Sequence, residues 1–252
     1  MKSNPIVVDQ FLFVADELFP LFMILVFLMP IYRFTSWIVS DKMDKTKDVA
    51  RSMGVRESSY WLSWFLFYVA GMTPVSLVCA LLLTYGVLDY ADLLPVFLMV
   101  WLYGLSLFGY IFLTSSFFTK PAIASIVSSL LYFITSFLDM LVASPYMSES
   151  KKLWASMLPQ IAVRRAVATV LQFETKRRTL SVGAVGQTLQ NYSMSNAYLM
   201  MLLSLIVFTV LGAYFTQILA SSGMRKHPCF CLGARREQGK LLHLDIDDEK
   251  DA

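Results

Sequence analysis

Five stretches of this chain are long enough to cross a bilayer while carrying one charge at most. They are Leu18 to Ser40, broken only by Arg33; a run within Ser58 to Leu88; one within Leu93 to Thr119; Ala122 to Pro145, broken only by Asp139; and Asn196 to Ser221. Crossing hydrocarbon takes about 20 apolar residues, and a central Asp, Lys or Arg costs about 2.5–3.5 kcal/mol, so runs of this kind leave few alternatives. The predicted class is an all-α integral membrane protein with about five transmembrane helices, near 18–40, 58–85, 93–117, 122–144 and 196–221. Charged residues make up only 15% of the 252, against about 25% in soluble domains, so little length remains for a separate soluble domain. Residues 1–17 form an N-terminal segment and 224–252 a tail. The first run follows Asp16 and Glu17 rather than a basic start, so it is expected to stay as an anchor rather than be cleaved.

Basic residues set the expected orientation. With the N-terminus outside, the cytosol receives Lys42, Lys45, Lys47, Arg51, Arg56, Lys120 and the tail cations, and the other face receives Lys151, Lys152, Arg164, Arg165, Lys176, Arg177 and Arg178. The excess favours that arrangement, and the sequon Asn191-Tyr192-Ser193 would then face outward as a possible glycosylation site.

Between the spans, Ser40 to Ser58 reads either as a solvated loop or as a short helix along the cytosolic surface. Asp41 and Lys45 would form an i, i+4 pair, Met43, Ala50 and Met53 fall near one face, and Gly54 reads as its stop. Tyr60, Trp61 and Trp64 follow at the mouth of the second span, where amphipathic rings prefer the headgroup level, and serve as an aromatic anchor. Gln160 to Glu174 has helical periodicity after Pro159, with Val163, Ala166, Val167, Val170 and Leu171 opposed by Arg164, Arg165, Ala168 and Gln172. It is expected to lie in the external interface or dip in as a re-entrant hairpin. Arg33 and Asp139 both lie near span ends, within reach of water, and are assigned no transport role. Cys229 and Cys231, beside a basic juxtamembrane stretch, are possible acylation sites or plain thiols, and the acidic end from Asp245 to Asp251 reads as disordered.

Several chemistries lack their residues. No G-x-x-x-x-G-K-[ST] occurs to cradle nucleotide phosphates, and no Cys or His spacing suggests a metal. The only histidines, His227 and His243, are both in the tail, and no catalytic residues are expected. Cations are scattered between spans rather than gathered on one face, which argues against nucleic acid as a partner.

Taken together, Ile38-Val39-Ser40-Asp41-Lys42, then Lys47-Asp48-Val49-Ala50-Arg51-Ser52-Met53-Gly54-Val55, then Tyr60-Trp61-Leu62-Ser63-Trp64-Phe65 resemble the transmembrane domain of subfamily A of the ABC transporters. That family has E-K-E-x-x-L-K-E-x-M-x-x-M-G-L followed by W-L-S-W-F; Asp41 and Asp48 stand where it has Glu, and Met43, Thr46 and Ala50 depart from it. Ser115-Ser116-Phe117-Phe118, Met157-Leu158-Pro159, Tyr214 and Gly223 extend the likeness over roughly residues 10 to 232. The resemblance implies that Asp41, Lys42, Lys47, Asp48, Arg51, Met53 and Gly54, within 41–55, belong to a cytosolic coupling helix that docks an ATPase domain. It implies that 150–175 is the external re-entrant element, and that substrates are lipids moved toward the external leaflet. The chain resembles five spans of one half of such a transporter, so ATP and Mg would act on a partner or further domain, beside a second transmembrane half. The alternatives are a non-transporting membrane scaffold or regulator, or a fragment of a longer transporter.

Overall fold

The computed structural model describes residues 10–139, 148–186, 188–189 and 192–219. Asn191, Cys229, Cys231 and the acidic end lie outside the described residues, as do 140–144 of the expected fourth span.

The helices are α1 (Gln10–Met43), α2 (Thr46–Ser52), α3 (Glu57–Gly86), α4 (Leu93–Ser116), α5 (Pro121–Ser136), α6 (Glu149–Ala155), α7 (Pro159–Thr175) and α8 (Met194–Ile218). The strands Thr188–Leu189 and Tyr192–Ser193 make a minimal antiparallel ribbon before α8. Four helical stretches are long and apolar enough to span: Leu18–Met43, Ser58–Gly86, Leu93–Ser116 and Met194–Ile218. The fifth, α5, has 16 residues, about 24 Å at 1.5 Å per residue, and so reaches most of the way across hydrocarbon about 30 Å thick. The protein is a multi-pass, all-α membrane protein.

α4 is the axle of the bundle, buried on nearly every side from Pro95 to Ser116, while α1, α3 and α8 pack around it. Its approach to α8 depends on two glycines. A Cβ at Gly109 would lie 2.9 Å from the Leu205 carbonyl oxygen, and one at Gly212 only 2.7 Å from Phe112 Cδ1 and 3.0 Å from the Leu113 amide nitrogen. Small residues at such crossings let backbones pack by dispersion where lipid removes any hydrophobic drive for association.

Hydroxyls at membrane depth need partners, and four tyrosines find them across helices. Tyr68 donates to the Gly104 carbonyl at 2.9 Å and Tyr110 to that of Ser128 at 2.9 Å. Tyr103 and Tyr132 pair through their hydroxyls, and Tyr132 also reaches the Ile24 carbonyl at 3.3 Å. These bonds lace α4 to α3 and α5, and α5 to α1. The outward faces stay apolar: Ile123, Ile126, Leu130 and Ile134 form one exposed stripe on α5, and Leu199, Ile206 and Val210 another on α8. Such stripes would be aggregation sites in water and are the lipid-facing surface here.

α7 is held against the bundle: most of it, from Pro159 through Glu174, is buried, and it packs on α1, α4, α5 and α8. Its supposedly polar face is the reason. Arg165 grips Asp139 bidentately at 2.7 and 2.6 Å, and Arg164 stands 3.7 Å from the same carboxylate while donating to the Ser136 carbonyl at 3.0 Å. Asp139, expected to reach water from a span end, is instead 6% exposed and neutralised by these guanidiniums. Burial of a charge in this region is tolerable only when it is paired and hydrogen-bonded.

Candidate functional site

The site expected from the sequence is the connection between α1 and α3. The structure divides it. Asp41 and Lys42 belong to the last turn of α1 rather than to the short helix, which runs only from Thr46 to Ser52. The proposed Asp41–Lys45 pair does not form, because the chain turns there and Lys45 adopts a left-handed conformation at φ 54°. Asp41 accepts a hydrogen bond from the Tyr60 hydroxyl of α3 instead. At the far end of α2, Gly54 at φ 85° reverses the chain, and the Val55 amide donates to the Ala50 carbonyl at 3.0 Å. Glycine adopts this conformation without the strain that a Cβ brings, which is why a helix so often stops on one.

Charged and aromatic side chains fasten this connection to the bundle. Lys42 Nζ donates to the Ser116 carbonyl at 3.1 Å and to that of Phe118 at 3.3 Å, satisfying carbonyls at the C-terminus of α4 that have no helical partner. Ser116 in turn donates to the Gly212 carbonyl at 3.1 Å and lies 2.9 Å from Thr216 Oγ1, so the tie continues into α8. Lys47 Nζ sits 5.7 Å from the ring centre of Trp61, a cation–π distance. Trp61 stacks obliquely on Phe112 of α4 at 4.3 Å and meets Tyr60 edge-on at 5.2 Å.

The aromatic cluster thus does more than mark a headgroup level: Tyr60 and Trp61 connect α3 to α1, α2 and α4. Trp64 packs partly against the core and edge-on to Phe67 at 6.3 Å, lining with Ser63 a shallow cleft of about 220 Å³. What α2 and its flanks leave uncovered is mixed, with Asp44, Lys45, Thr46, Ser52 and Arg56 exposed beside a set of large apolar side chains. Met43, Val49, Met53 and Val55 are all exposed, Met53 to 77%. The geometry is a short helix packed on α1 and α3, with exposed apolar side chains on it and its flanks, following an end of α1 that Asp41 and Lys42 tie to α3 and α4 and, through Ser116, to α8.

Sequence reasoning singled out Asp41, Lys42, Lys47, Met53, Gly54, Tyr60, Trp61 and Trp64 but missed Ser116, Thr216, Gly109 and Gly212. Ser116 was visible only as part of a resemblance, and neither Gly109, which shares α4 with Gly104, nor Gly212 shows in sequence which helix it packs against. Among the described residues, no three His, Cys, Asp or Glu side chains converge on a possible metal position.

The sequence profile of the family described as "ABC-2 family transporter protein" matches residues 7–214. ATP-binding cassette sub-family A member 6 of Homo sapiens is 25% identical over 257 residues, which cover 99% of this chain and 16% of that protein. Retinal-specific phospholipid-transporting ATPase ABCA4 of Homo sapiens is 25% identical over 217 residues, 83% of this chain and 10% of its own length. ATP-binding cassette sub-family A member 2 of Rattus norvegicus reaches 30% identity over 131 residues, 50% of this chain. The chain spans about one-sixth or less of the length of these relatives.

Proposed function

The chain belongs to the ABC-2 transporter family, as a membrane part of an ABC transporter, and from that premise we propose that it docks an ATP-hydrolysing domain through 41–55 and forms part of a route for lipid. ATP and Mg act on the docked domain, and a second transmembrane half completes the route. The observation that carries this reading is the exposed apolar surface of Met43, Val49, Met53 and Val55 on an element tied to four helices. A partner that pushes on α2 would act on α1 and α3 directly, and through the end of α1 on α4 and α8. Asp48 and Arg51, in α2, would join the docking surface by their place in the resemblance. The lipid part of the reading draws on the relative named a phospholipid-transporting ATPase. It also fits a bundle whose α3, α5 and α8 open apolar faces to the bilayer.

The test is affinity purification of the full chain from its native membranes, followed by photolabelling with an azido-ATP. A labelled ATP-binding polypeptide is expected. Val49→Glu with Met53→Glu should cut its recovery at least about tenfold, because burying two unpaired carboxylates in an apolar contact costs more than the about 1.4 kcal/mol that a factor of ten represents. Recovery unchanged by the double substitution, or no ATP-binding polypeptide at all, would overturn the docking assignment.

A further inference from the structure

At the opposite end of the bundle from α2 the structure holds a pocket of about 490 Å³, lined by Tyr90, Arg177, Arg178, Thr179, Ser181 and Gly183 among others. Its walls are built by backbone. The loop joining α3 to α4 pairs with the segment after α7 through the Leu180 amide on the Tyr90 carbonyl at 2.8 Å and the Asp92 amide on the Leu180 carbonyl at 3.1 Å. Glu174 fixes the same loop by accepting from the amides of Asp89 at 3.0 Å and Tyr90 at 3.1 Å.

That leaves the pocket's cations uncompensated. The nearby carboxylate of Glu174 is committed to backbone amides, and neither Arg177 nor Arg178 makes a side-chain hydrogen bond or ion pair among the described residues, Asp89 and Asp92 included. Three hydroxyls, on Tyr90, Thr179 and Ser181, supply further donors, and no acid is among the lining residues.

Arg177 occupies a position that physics reserves for another residue. It ends α7 at φ 49°, with the Arg178 amide donating to the Phe173 carbonyl at 3.0 Å in the six-residue closure that normally places glycine at this point. A side chain there strains the backbone, and strain of this kind is retained where a ligand is clamped. The loop also joins two helices whose adjacent turns expose Leu82, Tyr85 and Leu94 to lipid, which sets the pocket at headgroup level with acyl chains alongside.

We propose that this pocket binds the phosphate of an anionic phospholipid in the adjoining leaflet, with the Arg177 and Arg178 guanidiniums on the phosphate oxygens and the three hydroxyls around them. Paired guanidiniums match phosphate geometry and give stronger hydrogen bonds than neutral donors. The inference rests on the multi-pass topology alone and stands or falls apart from transport.

The test is titration of the purified full chain in nonionic detergent with dioctanoyl phosphatidylglycerol, followed by native mass spectrometry. Dioctanoyl phosphatidylcholine and inorganic phosphate form separate arms, and thermal unfolding is recorded in parallel. Saturable phosphatidylglycerol binding is expected, weakened about tenfold or more in Arg177→Gly with Arg178→Gln, since two charged contacts are lost. Arg177→Gly alone should weaken binding while leaving thermal stability equal or higher, because glycine relieves the left-handed strain. A purely structural arginine would not separate the two readouts. Unchanged binding in the double variant, equal affinity for phosphatidylcholine, or displacement of the lipid by equimolar inorganic phosphate would each overturn the proposal, the last by assigning the site to a free anion.

Discussion

Asp139 holds two guanidiniums, and that asymmetry makes its removal worse than removal of either partner. In Asp139→Asn, Arg165 loses both charged contacts, at 2.7 and 2.6 Å, and Arg164 loses the carboxylate 3.7 Å away. Side-chain exposures of 11% for Arg164 and 13% for Arg165 leave both cations little access to water. Stranding a buried partner in this way costs about 3–5 kcal/mol. In Arg165→Gln the carboxylate keeps Arg164, and the loss is that of the charged hydrogen bonds, about 1.5–3 kcal/mol. At about 2–4 °C per kcal/mol for a chain of this size, Asp139→Asn should lower the unfolding midpoint by roughly 10 °C or more and Arg165→Gln by about half as much. Thermal unfolding in one detergent, followed by tryptophan fluorescence, reads both. Adding Arg165→Gln to Asp139→Asn should recover part of the loss, because one stranded cation is gone. If Arg165→Gln is as damaging as Asp139→Asn, or if the two losses add, the shared-carboxylate reasoning is refuted.

Gly212→Ala should destabilise the chain by about 1–3 kcal/mol, since its new methyl would press on the Leu113 backbone, whereas Gly71→Ala, with nothing within 4 Å, should be neutral or better in the same unfolding assay. Equal midpoints for the two would count against a glycine-dependent approach of α4 and α8. Lys42→Met removes the half-buried tie to the Ser116 and Phe118 carbonyls, worth about 1 kcal/mol, so trypsin should cut at Lys45 and Lys47 roughly fivefold faster; an unchanged cleavage rate would mean that Lys42 does not hold the connection in place. In sealed vesicles of a background lacking other cysteines, an impermeant maleimide should label Met53→Cys and Thr179→Cys from opposite sides. Labelling of both from one side would overturn the topology that sets the two segments on opposite faces.

The spans were legible because the rule behind them is local: a run that excludes charge is itself the evidence for hydrocarbon. The bounds of the connection at 41–55 were less so. Asp41 and Lys45 have helical spacing, and only the position of Tyr60 in three dimensions shows that Asp41 is engaged elsewhere while the chain turns at Lys45. The same limit hid the glycine contacts of Gly109 and Gly212. What makes each necessary is a carbonyl or ring on the other helix, about a hundred residues away in the chain.

The burial of α7 is the instructive case, because the sequence held the signal for its pairing with Asp139 and amphipathic reasoning passed over it. Periodicity sorts residues into apolar and polar faces and then sends the polar face to water, which left both the interface and the re-entrant alternatives open for Gln160 to Glu174. A charge within an apolar run obeys a stricter condition: it must reach water or find an opposite charge. Applied to Asp139, that condition calls for a cation on the same side of the membrane, and the adjacent Arg164 and Arg165 fall on the same expected external face. Pairing them draws α7 inward against the end of α5, where the structure has it, and makes the two arginines part of the bundle's interior rather than its surface. Among the described residues Arg177 and Arg178 have no such acid to claim them, and that difference between two arginine pairs on one helix and its exit separates the part that holds the fold from the part proposed to meet a ligand.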